Sequence, residues 1–138
     1  MTIQQTPGHV LPARSAAKME AAMAVGAFAI GTGEFAIMGL MPDIARNLNL
    51  SEPQVGHAIS AYALGVMVGA PLLAILGAKL LRKHMLLLLM GLYALGNLAT
   101  AFTPTFGSLV AFRFISGLPH GAYFGIAAVV ASSMVPNH

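Results

Sequence analysis

Glu34, Arg113 and His120 stand inside apolar runs long enough to cross a membrane, and their types suit proton movement or the binding of a charged ligand. Glu34 is the only charged residue between Ala21 and Met41. Arg113 and His120 are seven residues apart in a later apolar run, so they share one face of a helix. A carboxylate well inside a bilayer costs about 2.5 kcal/mol or more on insertion scales, which indicates a functional role for Glu34.

The composition indicates that lipid is the natural solvent of this chain. Of its 138 residues 57% are hydrophobic and only 8% are charged, whereas soluble domains carry about 25% charged residues. Apart from Arg113, the basic residues lie outside the apolar runs, so we interpret them as topology signals and expect no nucleic-acid partner. The absence of cysteine excludes disulfides and thiolate metal sites, and the five histidines show no metal-ligand spacing.

The apolar pattern predicts an all-α membrane protein with four transmembrane helices. These helices are placed at about residues 20–41, 54–78, 85–102 and 109–135, after a cytoplasmic tail over residues 1–19. Small residues spaced by four let two helices approach closely, and this pattern occurs in the second and fourth predicted helices. The glycines expected to serve helix packing are Gly65, Gly69, Gly117 and Gly121.

The distribution of basic residues predicts that both termini face the cytoplasm. The tail carries two basic residues, the first connection has one against two acids, and the third connection has none. The second connection carries the densest basic cluster of the chain, formed by Lys79, Arg82 and Lys83. Because cytoplasmic loops are enriched in Lys and Arg, the tail and the second connection are predicted to lie inside.

Glu34 and Arg113 have opposite charges and similar predicted depths. Glu34 precedes Pro42 by eight residues and Arg113 follows Pro104 by nine, which places them roughly 12 and 13 Å below the outer ends of their helices at 1.5 Å per residue. Buried membrane charges pair or line aqueous cavities, so we expect a Glu34–Arg113 ion pair or a shared polar cavity. The alternative is that Arg113 extends outward to the interface. His120 either relays protons or makes one interhelical hydrogen bond.

Three stretches of the chain resemble the major facilitator superfamily, and within it the bacterial drug:proton antiporter group that includes arabinose and other sugar-efflux permeases. Residues 33–51, which read GEFAIMGLMPDIARNLNLS, are similar to the first helix and first outer loop of that family. Residues 113–122, which read RFISGLPHGA, match its fourth-helix arginine-and-glycine motif. Residues 74–83 occupy the place of its cytoplasmic loop motif, G-x-L-a-D-R-x-G-R-K.

The loop motif is incomplete in this chain. Arg82 and Lys83 fit the pattern, and Lys79 replaces its first arginine. Ala78 stands in place of the aspartate and Leu81 in place of the second glycine. The missing acid removes the partner for charge-based gating contacts at this loop.

The resemblance implies that residues 20–138 form the first part of the amino-terminal six-helix bundle of a transporter in a bacterial inner membrane. It implies a proton gradient as the energy source, no cofactor, and two kinds of partner: the lipid bilayer and a small-molecule substrate. By the same resemblance Glu34 and Arg113 are associated with proton coupling and substrate binding. Family members have twelve helices, so we interpret the chain as a truncated transporter that is inactive alone and requires self-association or the remaining helices.

Two other interpretations fit part of the pattern. Small multidrug:proton antiporters are four-helix dimers with a glutamate in the first helix, as Glu34 is here. A non-transporting tetraspan scaffold would need none of the intramembrane charges for its function. A membrane enzyme is not indicated, because no nucleophile–base pair or metal constellation is visible.

Overall fold

The computed structural model describes residues 12–134, and the regular structure in that range is helical. The helices are α1 (Ala13–Gly39), α2 (Met41–Leu48), α3 (Glu52–Leu76), α4 (Arg82–Ala101) and α5 (Phe106–Met134). Four of them, α1, α3, α4 and α5, are long and apolar enough to cross a membrane. The predicted all-α class and the predicted number of spans are therefore confirmed.

The largest boundary difference lies at the first helix, which begins at Ala13 although the span was predicted from about residue 20. Residues 13–19 were assigned to the tail, but their alanines, lysine and methionine favour helix, so α1 continues beyond its apolar part. The other predicted ends differ by three residues or fewer. The rest of the predicted tail, residues 1–11, and the chain end, residues 135–138, lie outside the described residues.

The connection predicted after the first span is partly a short helix, α2. Pro42 lies in its first turn, where a fixed φ and a missing N–H are tolerated. Asp43, in the same turn, pairs with Arg46 three residues later. The helix ends at Leu48, and the next residue, Asn49, has a left-handed φ of 52° that closes the last turn before α3 begins.

Helix α5 is the central element of the bundle, because it packs extensively against both α3 and α4 and also contacts α1. Glycines on both sides bring the backbones of α3 and α5 together. A Cβ atom at Gly65 or Gly69 would collide with backbone carbonyl groups of α5, and one at Gly117 or Gly121 would collide with carbonyl groups of α3. Where these two helices cross, the contact is therefore backbone against backbone.

Helix α1 makes smaller contacts, with α2, α4 and α5. Its buried positions are Gly26, Ile30 and Ile37, which lie along one stripe of the helix. Large apolar side chains such as Phe28 and Phe35 point away from the bundle, as expected of a helix whose outer surface contacts lipid. The helix that carries Glu34 thus depends on few contacts for its position.

Candidate functional site

The intramembrane residues selected from the sequence belong to one cluster between α1, α3 and α5. The Nδ1 atom of His120 lies 3.9 Å from Oε2 of Glu34 and 2.9 Å from the hydroxyl oxygen of Tyr62. The guanidinium carbon of Arg113 lies 4.2 Å from the centroid of the Tyr62 ring. Tyr62 therefore joins the two α5 residues, with its hydroxyl at His120 and its ring at Arg113.

The predicted direct ion pair between Glu34 and Arg113 is not formed. Among the described residues, the two charge contacts within 4.0 Å are Arg46 with Asp43 and His120 with Glu34. The prediction used depth alone, whereas the direction around the helix axis also matters. On α1 the residue Gly33 lines a cavity beside Arg113. Glu34 lies about 100° further around the helix. At this angle the carboxylate meets His120.

Arg113 does not extend outward to the interface. Its side chain is almost fully buried, with the residue only 2% exposed, and it stacks on Tyr62. Such a cation–π contact contributes about 2 kcal/mol or more when both groups are desolvated. Neither Nε nor Nη2 has a hydrogen-bond partner within residues 12–134. Two guanidinium nitrogens are thus left without an acceptor among the described residues.

A cavity of about 420 Å³ lies beside Arg113, between α1, α2, α4 and α5. Asn97 and Thr100 of α4 add polar groups to its apolar lining. The amide of Asn97 donates to the carbonyl of Tyr93 in its own helix, at 2.9 Å, so it does not bridge to Glu34 or Arg113. The cavity has the mixed lining that small-molecule sites share, with one buried cation at its wall.

Glu34 and His120 differ in their exposure. The side chain of Glu34 is 40% exposed and that of His120 is 16% exposed. The carboxylate therefore faces the open side of the bundle, where water or a ligand can reach it, and the imidazole lies behind it. Because Nδ1 of His120 is close to both Tyr62 and Glu34, a small movement of the ring can exchange one partner for the other.

The chemistry open to this cluster is the exchange of protons and the binding of charged groups. Imidazole can titrate near neutral pH, and a carboxylate beside it can accept a proton or attract a cation. Within residues 12–134, no group of three or more His, Asp or Glu side chains is arranged to hold a metal ion.

Sequence reasoning missed the three tyrosines of the chain, which are all buried. The hydroxyl of Tyr62 binds the histidine of the cluster. Tyr93 of α4 donates to the carbonyl of Ile30 at 2.9 Å, and Tyr123 of α5 donates to the carbonyl of Met23 at 3.0 Å. The available signal was general: a hydroxyl inside a bilayer must find a protein partner, so a rare tyrosine in an apolar run marks an interhelical contact.

The basic loop residues lie apart from this cluster. Lys79 is in the turn between α3 and α4, and Arg82 and Lys83 open α4, all three exposed. Arg82 borders a second cavity of about 420 Å³, at the end of the bundle where α3 joins α4. The glycines of the fourth-helix motif serve the packing of α5 on α3, so they support the cluster without belonging to it.

Comparison with known proteins identifies the family to which the chain is similar. A family model described as the Major Facilitator Superfamily matches residues 23–138. The inner membrane transport protein YdhP of Escherichia coli (strain K12) is 50% identical over 117 residues, which cover 85% of this chain and 30% of that protein. The chloramphenicol resistance protein of Streptomyces lividans is 37% identical over 114 residues, which cover 83% of this chain and 29% of that protein.

A protein of Helicobacter pylori (strain P12) described as a "Probable sugar efflux transporter" is 32% identical over 114 residues, which cover 83% of this chain and 29% of that protein. The chain therefore spans about 30% of the length of these relatives. No solved structure shows significant similarity to it.

Proposed function

This chain belongs to the Major Facilitator Superfamily, and we propose that it supplies the acid-bearing helices of a proton-coupled exporter of small molecules. Family membership and four membrane-spanning helices make it a multi-pass membrane protein. For its location we propose the bacterial inner membrane, with the basic α3–α4 connection on the cytoplasmic side. The observation that carries the proposal is the cluster of Glu34, His120, Tyr62 and Arg113 inside the spans.

Glu34 is the proposed site of exchange between protons and substrate. As a carboxylate it attracts the protonated imidazole of His120, at 3.9 Å, or a cationic group of a substrate that approaches from the open side. Once protonated, it loses that attraction. Because a proton and a cationic substrate compete for the same carboxylate, entry of one favours release of the other. This competition supplies the coupling that an antiporter needs.

Arg113 is proposed to act at the ring of Tyr62, whereas His120 lies at its hydroxyl. The Nε and Nη2 atoms of Arg113 have no hydrogen-bond partner within the described residues, so they favour an acidic or polar group of the substrate. Its positive charge also stabilises the ionised form of the cluster and lowers the cost of the Glu34 carboxylate. The two charges thus act on one site without direct contact.

The substrate site is proposed to be completed by helices outside this chain. In transporters built from repeats, substrates bind near the bilayer midplane at the interface between two halves. Within the described residues, no second set of helices covers the side of the cluster at which Glu34 is exposed. We therefore propose that the chain is inactive alone and requires the remaining helices of a transporter or further chains.

Family membership favours this interpretation over a small four-helix multidrug pump, and relatives named as transporters favour it over an enzyme. The scaffold interpretation differs from it in one measurable respect. A scaffold tolerates neutralisation of Glu34 as long as the protein inserts and folds. An exporter does not.

The test is Glu34→Gln in the complete gene product, with Glu20→Gln as the matched control. Glu20 lies on the same helix but is exposed near its amino-terminal end, away from the cluster. Everted membrane vesicles with an imposed pH gradient are assayed with a hydrophobic cation, a sugar and chloramphenicol. We expect Glu34→Gln to abolish gradient-driven transport at unchanged membrane levels and Glu20→Gln to preserve it. Full gradient-driven transport by Glu34→Gln would refute the proposed role.

A further inference from the structure

Two tyrosine hydroxyls attach α1 to the rest of the bundle. Tyr93 of α4 donates to the carbonyl of Ile30, and Tyr123 of α5 donates to the carbonyl of Met23. Each hydroxyl lies against a glycine of α1 where a Cβ atom would collide with it: Tyr93 at Gly33 and Tyr123 at Gly26. We refer to these as the Tyr93 contact and the Tyr123 contact.

The two contacts define both the position and the rotation of α1. Their carbonyl acceptors are seven residues apart, and so are their glycines, which corresponds to roughly 10 Å along one face of the helix. They come from two different helices, α4 and α5. A helix fixed at two points on one face can neither slide nor turn freely, although the remaining contacts of α1 are few.

The Tyr93 contact lies directly beside the acid. In an α-helix the carbonyl of Ile30 is the acceptor for the backbone N–H of Glu34, four residues later. Tyr93 therefore binds the same carbonyl oxygen that holds the Glu34 backbone. The carbonyl of Met23, in contrast, is eleven residues from Glu34, or roughly 16 Å along the helix.

We propose that Tyr93 is the positioning residue for Glu34, which it holds at the angle where the carboxylate meets His120; the proposal rests on the proposed function of Glu34. Without the Tyr93 hydroxyl, one of the two hydrogen bonds that fix the rotation of α1 is lost, and the distance from Glu34 to His120 is less tightly fixed. The Tyr123 contact also holds α1 in place, but it does not position Glu34, because it lies two helical turns further from the acid.

Within residues 12–134, His120 on α5 contacts the Glu34 carboxylate. Arg113 on α5, Tyr62 on α3 and Tyr93 on α4 lie close enough to interact with its charge. The charges of α2, Asp43 and Arg46, pair with each other at the surface. If loss of the Tyr93 hydroxyl changes the pH profile of transport, the change therefore reports on the geometry of these groups around Glu34.

The test compares Tyr93→Phe with Tyr123→Phe in the complete gene product, using transport driven by a pH gradient. Both substitutions remove one buried hydroxyl and keep the ring. For Tyr93→Phe we expect a change of about 2- to 10-fold in the apparent proton affinity of transport, the range that corresponds to one hydrogen bond. For Tyr123→Phe we expect an unchanged pH profile, even if less protein accumulates. Equal pH profiles for the two variants would overturn the proposal.

A second pair of variants tests the fit of the hydroxyl against glycine. Gly33→Ala displaces the Tyr93 hydroxyl, but the nearest ring carbon of Tyr93 would be 3.2 Å from the new Cβ, a tight distance that a small shift relieves. Gly33→Ala combined with Tyr93→Phe should therefore match Tyr93→Phe alone in membrane level and in pH profile. At Gly26 the ring carbon of Tyr123 would be only 2.7 Å away, so Tyr123→Phe should not rescue Gly26→Ala. Rescue at both positions, or at neither, would contradict this geometry.

The outcomes separate this proposal from the one it rests on. If Glu34→Gln abolishes gradient-driven transport and Tyr93→Phe leaves the pH profile unchanged, the positioning role is refuted and the function of Glu34 stands. If Glu34→Gln itself transports normally, the proposed function is refuted, and the role of Tyr93 is refuted with it.

Discussion

The contact between α3 and α5 leads to a prediction for Gly69→Ala. A methyl group at residue 69 would lie 2.5 Å from the carbonyl carbon of Leu118 and nearer still to its oxygen, whereas ordinary contacts begin at 3.4 Å. These atoms belong to the backbone, so no side chain can rotate to make room. The two helices must separate locally by about 1 Å.

The energetic effect follows from that separation. A gap of about 0.5–1 Å removes about a quarter to a half of the dispersion attraction between facing atoms. We expect Gly69→Ala to lower the free energy of unfolding by about 1–3 kcal/mol, the usual range for an overpacked site. The hydrogen bond between Tyr62 and His120 spans the same interface at 2.9 Å, and it is lost when its length grows beyond the usual range.

Gly56→Ala is the matched control. Gly56 lies on the same helix, and among residues 12–134 no atom beyond its own helix backbone and chain neighbours lies within 4 Å of a Cβ atom placed there. Since alanine is favoured over glycine inside a helix, this variant should be as stable as the parent or slightly more stable. Both can be measured by steric trapping in bicelles with biotinylated cysteines at exposed positions, because the chain has no native cysteine. Equal stability of the two variants would refute the backbone-to-backbone contact.

Two further predictions concern the α2–α3 corner and the cluster. Asn49→Ala should lower the free energy of unfolding by about 1–2 kcal/mol, because the left-handed φ at this position strains alanine. Asn49→Gly should not lower it. Steric trapping measures both variants, and equal losses of stability would count against the observed turn. In double-mutant cycles with Glu34→Gln, His120→Gln should show a coupling of about 0.5–3 kcal/mol and Arg113→Gln a smaller one. The opposite order would favour the direct Glu34–Arg113 pair.

The apolar periodicity of the sequence was sufficient to predict the spans and to select Glu34, Arg113 and His120. Length and hydropathy determine which segments enter a bilayer, and the cost of an intramembrane charge makes such residues conspicuous. Which of these charged side chains contact each other could not be predicted in the same way. It depends on the rotation of α1 relative to α5, which is set by side chains on other helices, as the contact of Glu34 with His120 in place of Arg113 demonstrates.

The tyrosines and α2 were missed for different physical reasons. A buried hydroxyl bonded to a distant carbonyl leaves no periodic trace in the sequence, so the partners of Tyr93 and Tyr123 become visible only in the three-dimensional fold. Helix α2 is too short and too polar to stand out as an apolar segment, and Pro42 was interpreted only as the end of the first span. Its position just inside a helix start was the signal for a second helix.

The tyrosine contacts of α1 also have a consequence for the order of synthesis. Tyr93 is 63 residues later in the chain than its acceptor, and Tyr123 is 100 residues later than its own. At about 5–20 residues per second, a ribosome needs several seconds to make the second partner after α1 has emerged. During this interval α1 is in the membrane without its partners, and Glu34 has no imidazole beside it. The nascent first helix therefore bears the insertion cost of an unpaired acidic side chain until α5 is made.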